Sequence, residues 1–139
     1  MAAGALLLSG CGGSEMVKAD AAPSAGSSGC ARAASKWPAT VAQQKVRPTT
    51  AESDTVRAWG DPAIIARCGV TSPGPTTEDC VNVNGVDWVG STLSDGYRFV
   101  TYGRSPAIEV LIPKKYQTWP VAAFSAAAQA IPQGPRHCT

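Results

Sequence analysis

The sequence predicts an α+β domain: an antiparallel sheet of four to five strands, covered by an N-terminal and a C-terminal helix and closed by two disulfides. Three observations lead there. Short period-two apolar runs separated by turn residues fill residues 63 to 112. Apolar stripes at three- and four-residue spacing stand at either end of that stretch. Four cysteines, Cys30, Cys68, Cys80 and Cys138, are spread over the same length. Strands bracketed by helices, rather than alternating with them, give a sheet whose helices gather on one face.

The first helix is read over residues 30–37, where Cys30, Ala33, Ala34 and Trp37 share a face, and Pro38 ends it. Residues 41–47 could form an edge strand and 49–54 a loop. Ala63 to Cys68 reads as a strand centred on Ile64 and Ile65. Residues 80–83 and 86–89 read as a hairpin, because Asn84-Gly85 suits a two-residue turn in which both positions need positive φ. Tyr97 to Tyr102 follows as an aromatic and β-branched strand, then a turn at 103–106. Ala107 to Ile112 completes the sheet, with Ile108, Val110 and Ile112 on one side and Glu109 on the other. The period then changes. Val121, Phe124, Ala128 and Ile131 form one stripe of a helix over 119–131, with Pro120 in its first turn and Pro132 beyond its end.

At the other end of the chain, Leu6-Leu7-Leu8-Ser9-Gly10-Cys11 resembles the lipobox of bacterial lipoproteins. The resemblance implies that Cys11 carries a diacylglycerol on its sulfur and becomes the first residue after cleavage. Residues 1–10 would then be a signal peptide. It lacks the basic start such peptides carry, so further basic and apolar residues are expected upstream. Residues 11–29, rich in Gly, Ser and Ala, read as a flexible tether with a typical span of about 23 Å. The folded domain would occupy 30–139. Two or three acyl chains on one residue give stable anchoring where one gives marginal binding. The expected location is therefore the outer face of the cell membrane.

With Cys11 set aside, four cysteines remain, and they allow three pairings. Cys68–Cys80 across the turn-rich 69–79 loop, together with Cys30–Cys138 between the first and last elements, is the preferred set. Disulfides belong to oxidising compartments, in agreement with export.

Composition excludes several function classes. The 139 residues carry 12 basic and 10 acidic side chains, a net +2, with no basic run beyond Lys114-Lys115. A nucleic-acid partner is not expected from that pattern. There is a single histidine and no Cys-x-x-Cys, so neither a metal site nor a cofactor is expected. Nucleophile-elbow, zincin, P-loop and dinucleotide motifs are all missing.

Six separated segments carry a wider resemblance: 59–65 (Trp-Gly-Asp-Pro-Ala-Ile-Ile), 67–70 (Arg-Cys-Gly-Val), 84–88 (Asn-Gly-Val-Asp-Trp), 101–104 (Thr-Tyr-Gly-Arg), 106–110 (Pro-Ala-Ile-Glu-Val) and 112–113 (Ile-Pro). In this order they resemble a family of small actinobacterial secreted proteins catalogued only as a domain of unknown function. The resemblance covers about residues 30–138. It implies an envelope location and a mostly β domain with paired cysteines, and it implies no activity.

Two readings of the polar and aromatic residues in those segments compete. In one, Trp59, Trp88 and Tyr102 stack on sugar rings while Asp87 and Arg104 bind hydroxyls, giving a face for a wall polymer or an envelope protein. In the other, which is favoured, the tryptophans fill a small alanine-rich core and Asp87 and Arg104 cap turns or form an ion pair. A non-catalytic accessory or binding module is therefore expected. The alternative is a small envelope hydrolase using Asp87 and Glu109, which requires the two carboxyls about 5 to 9.5 Å apart across an open cleft. His137, beside a disulfide cysteine, reads as a surface residue.

Overall fold

In the computed structural model, which describes residues 15–139, all eight strands join one sheet. They are β1 (Thr40–Val41), β2 (Gln44–Arg47), β3 (Val56–Trp59), β4 (Ile64–Val70), β5 (Asp79–Val83), β6 (Val86–Thr92), β7 (Gly96–Thr101) and β8 (Ala107–Pro113). The spatial order is β1-β2-β3-β4-β8-β7-β6-β5 and every pairing is antiparallel. The fold is thus two four-stranded meanders that meet at β4 and β8. Residues 71–78 carry the chain from the middle of the sheet to its far edge. The signal peptide and the lipidation at Cys11 lie outside the described residues.

This corrects the expected count of four to five strands. The Asn84-Gly85 hairpin forms as expected, with φ of 51° and 83°. The segment 41–47 is two strands, because Ala42 and Gln43 turn back with φ of 50° and 64°. Propensity gives no hint of such a turn at Ala-Gln. Val56–Trp59 was not anticipated. Its four residues are too short for a period to show, and pairing with β2 and β4 is what holds them extended.

The helices are also shorter than expected. The first, α1 (Ser28–Ala34), starts two residues early because the Ser27 hydroxyl accepts from the Cys30 N–H at 3.3 Å. The stretch read as one helix over 119–131 is a 3-10 segment, Trp119–Phe124, followed by α2 (Ser125–Gln129). Val121, Phe124 and Ala127 are buried at three-residue spacing, which suits the tighter turn.

Both helices lie on one face of the sheet. Between them and the sheet, Trp59, Ile64, Trp88, Ile108, Val110 and Ile112 are buried with Phe124 and Ile131. Trp37, Trp59 and Phe124 meet edge to face with centroids 5.3 to 6.4 Å apart. Trp59 Nε1 donates to the Pro38 carbonyl at 3.1 Å and Trp37 Nε1 to that of Asp54 at 2.9 Å. The aromatic cluster therefore leaves neither indole N–H unpaired.

The disulfides are Cys30–Cys68 and Cys80–Cys138, replacing both expected pairs. The topology forbids Cys68–Cys80. Strands β8, β7 and β6 lie between β4 and β5, a separation of about 19 Å at the usual strand spacing, against the roughly 6 Å a disulfide spans. The two also face apart. Cys68 shares a face with Ile108 under α1, and Cys80 pairs with Val89 on the other face. The loops closed span 38 and 58 residues, so each bond offsets about 4 kcal/mol of unfolded-chain entropy in the loop-closure model.

Residues 15–29 of the segment expected to be a flexible tether lie against the domain. From Glu15 onward the chain is laid across the sheet face away from the helices. The Val17 N–H donates to the Pro48 carbonyl at 2.8 Å, and that of Thr50 to the Val17 carbonyl at 2.9 Å. The Ser24 N–H donates to the Gly69 carbonyl at 2.9 Å. Gly69 has φ of 114°, and a Cβ there would stand 2.5 Å from Ala25 N. Only glycine lets the strap this close. Ala22 is buried with Val70, Val100 and Ala107 beneath it. Composition hid this, because small residues that cannot make their own core can still cover another.

Candidate functional site

Asp87 and Arg104 come from neighbouring stretches, the start of β6 and the turn after β7, and both are buried. Asp87 Oδ1 accepts from Asn82 Nδ2 at 2.8 Å, and Oδ2 accepts from the Cys138 N–H at 3.0 Å. His137 Nδ1 lies 3.7 Å from Oδ2. The carboxylate thus holds the C-terminal tail against the sheet, next to the Cys80–Cys138 bond. Arg104 Nη1 donates to the carbonyls of Ala128, at 3.2 Å, and Ile131. It caps the C-terminus of α2, where a cation complements the helix dipole. Burial pulls its guanidinium below the ordinary arginine range, and the Asp87 charge pulls the other way. The Nε of Arg104 and the Nε1 of Trp88 are buried without a protein acceptor among the described residues.

Trp59 and Trp88 are fully enclosed, so neither offers a ring to a ligand. Of the five residues proposed as a sugar face only Tyr102 is partly exposed. Asp87 and Arg104 do not bond to one another: Asp87 holds the C-terminal tail to the β5–β6 hairpin, and Arg104 holds the end of α2.

Asp87 and Glu109 lie on the same face of the sheet, since Val89, two residues beyond Asp87, pairs with Val100, and Val100 pairs with Glu109. Glu109, 5% exposed, is bound at both oxygens: Arg67 Nε donates to Oε1 and Arg98 Nε to Oε2, each at 2.8 Å. A buried carboxylate bonded at both oxygens by half-exposed guanidiniums is fixed in orientation. Neither Asp87 nor Glu109 lines the three grooves seen on the surface.

The grooves lie elsewhere. One, of about 500 Å³, runs over β5–β7 where the helices do not reach. Phe99 lies over Gly90, whose absent Cβ would meet the ring at 2.9 Å. Around it stand Glu78, Asp79, Ser91, Thr92 and Tyr97, with exposed Trp119 adjoining through Thr118. Hydroxyls, carboxylates and aromatic rings together suit a ligand bearing hydroxyl or amino groups. Sequence reasoning missed this groove because its signal is an uncovered sheet edge, and coverage is a tertiary property.

A second groove, of about 460 Å³, is mostly apolar and sits at the end of the sheet formed by the β3–β4 turn, the β6–β7 turn and the end of β8. Pro62, Ile65, Leu93, Leu111 and Pro113 line it beside Lys114 and Lys115. The strap begins at this same end. One guanidinium, that of Arg47, donates to the Glu15 carbonyl at 3.0 Å and to the Gly60 carbonyl at 2.8 Å. Tyr116 Oη donates to the Pro62 carbonyl at 3.0 Å. Its phenol is raised above the ordinary value, first by burial and then by the Asp61 charge, with Arg47 opposing.

Among the described residues no three His, Cys, Asp or Glu side chains group to hold a metal, and no helix is long and apolar enough to cross a membrane. No curated protein and no solved structure matches the chain. A family model does, over residues 2–136, nearly the whole length. It spans the sheet, both helices and the strap, and the chain belongs to the family described as "Protein of unknown function (DUF3515)".

Proposed function

We propose that the protein is a lipid-anchored component of the cell envelope, attached through Cys11, that works by binding an envelope protein or a wall polymer rather than by catalysis. One observation carries this reading. The two disulfides consume every cysteine except Cys11, and Cys11 is the one that ends a Leu-Ser-Gly-Cys run. Paired sulfurs point to an oxidising compartment, and the remaining thiol stands where a lipid is added. The commitment of Asp87, Arg104 and Glu109 to internal partners supports a non-catalytic role. The open groove of Glu78, Asp79, Ser91 and Tyr97 is the surface best suited to a hydroxyl- or amine-bearing partner.

The test is fractionation of cells expressing the protein with its natural leader, together with the intact mass of the purified chain. Wild-type protein should partition with membranes and carry a diacylglyceryl mass on an N-terminal Cys11, and Cys11→Ser should release it. A soluble, unmodified wild-type chain would overturn the anchor. Binding to isolated wall polymer or to a membrane partner should weaken in Tyr97→Ala. Absence of any such binding by the wild type counts against the binding role.

A further inference from the structure

From the placement of the strap we infer that the apolar end of the sheet is a membrane-docking surface, seated on the headgroups of a bilayer rich in anionic lipid. The inference rests on Cys11 being the lipid carrier. Had residues 11–29 been a free tether, the domain could have hovered in any orientation. The strap removes that freedom. The chain is tied to the domain from Glu15 by Arg47 and from Val17 by the Pro48 and Thr50 hydrogen bonds. Between Cys11 and Glu15 run four residue steps, about 14 Å when fully extended. A lipid on Cys11 keeps that residue at the level of the glycerol backbone. The headgroup layer above it takes up about 5 to 8 Å. Even fully extended, the link leaves the end of the domain that carries Glu15 at most about 6 to 9 Å above the headgroups, close enough for its charges to act on the surface within a Debye length.

What that end presents fits such contact. Met16, Val46 and Leu93 are large apolar side chains 58%, 43% and 39% exposed. Leu93 borders the apolar groove of Pro62, Ile65 and Leu111. Lys114, Lys115 and Asp95 line it, and Lys45 and Arg47 of β2 lie beside the turn of Gly60 and Asp61, with Glu15 bound to Arg47. Asp61 is paired with Arg47 at 3.9 Å. The small positive excess steers the end toward anionic headgroups, and the apolar side chains supply contact at the boundary with the acyl region. The opposite end of the sheet, with the Asn84-Gly85 turn and Gly103, then faces away from the membrane. The polar groove over β5–β7 opens sideways, within reach of an envelope partner.

The test uses the full chain with the thiol of Cys11 coupled to a maleimide-headgroup lipid in phosphatidylglycerol–phosphatidylethanolamine vesicles, so it does not depend on cellular lipidation. Amide hydrogen exchange is compared between coupled protein and uncoupled protein mixed with the same vesicles. Coupling should slow exchange at residues 60–63, 93–96 and 114–117 and leave the Asn84-Gly85 turn and Gly103 unchanged. The double variant Leu93→Asp, Lys115→Glu should lose that slowing while keeping the wild-type near-ultraviolet spectrum. Equal exchange at both ends, or slowing at the 84–85 end, overturns the docking surface. Slowing that persists when the coupled protein is transferred from vesicles to detergent would mean that the groove takes up its own acyl chain, and overturns it too. An unmodified Cys11 in the native protein overturns the anchor whatever the exchange shows, so the two failures are distinguishable.

Discussion

Cys138 donates its backbone N–H to the Asp87 carboxylate at 3.0 Å, so the C-terminal tail is held to the start of β6 by a charge-assisted hydrogen bond and to β5 by its disulfide. The same carboxylate oxygen faces His137, and the other takes the Asn82 amide. One side chain therefore couples the tail to the β5–β6 hairpin.

Asp87→Ala should cost about 1–3 kcal/mol, because it strands the Cys138 N–H and the Asn82 amide. Asp87→Asn, which keeps an acceptor for one donor, should cost less. Denaturant titration with an unchanged m-value measures both. A loss below about 0.5 kcal/mol for the alanine variant would show that the tail is held by the disulfide alone.

Removing both cations from Glu109 should be worse than removing Glu109. In Arg67→Met, Arg98→Met the carboxylate stays buried and unpaired, at a cost of about 3–5 kcal/mol. In Glu109→Gln two half-exposed guanidiniums turn to water, and about 1–2 kcal/mol is lost. Thermal melts of the two variants read the order directly.

Gly69→Ala should unseat the strap. The new Cβ would overlap the Ser24–Ala25 backbone, and φ of 114° is strained for any L-residue. A loss of about 1–3 kcal/mol is expected, with protease cleavage appearing between Lys18 and Arg32 well below the melting temperature. Cleavage no faster than in wild type would mean the strap is not held at this crossing.

Alkaline pH should weaken the groove end through Tyr116. Its phenol is raised in the fold, so the native state holds a proton that the unfolded chain gives up at about pH 10. The stabilisation is complete below that pH and is lost as pH rises through the higher folded value. Tyr116→Phe should flatten this fall and cost about 1 kcal/mol at neutral pH through the lost bond to the Pro62 carbonyl. Stability measured from pH 8 to 11 on both chains shows the difference.

Much of the central sheet was legible because its strands carry their own signals. Ile108, Val110 and Ile112 alternate with Glu109, and Asn84-Gly85 admits one kind of turn. The burial of Trp59 and Trp88 followed from their size in a chain otherwise filled by alanine. The short strands β1–β3 were not legible. Four residues hold too little pattern to mark a strand, and neighbours impose the extension. The binding groove over β5–β7 was equally hidden, since Val81 and Tyr97 look like core residues until one knows that no helix lies above them.

By itself the sequence determined which residues are strand, turn and helix cap at the strongest positions, that four cysteines pair within the domain, and that Cys11 stands apart from them. Local chemistry is enough for each, because turn conformation, alternation and residue size act over a few positions. Only the tertiary structure decided which cysteines meet, where the Gly- and Ala-rich strap lies, and which sheet edge stays open. Those depend on strand order, and strand order follows from contacts among residues far apart in the chain, which no local pattern records.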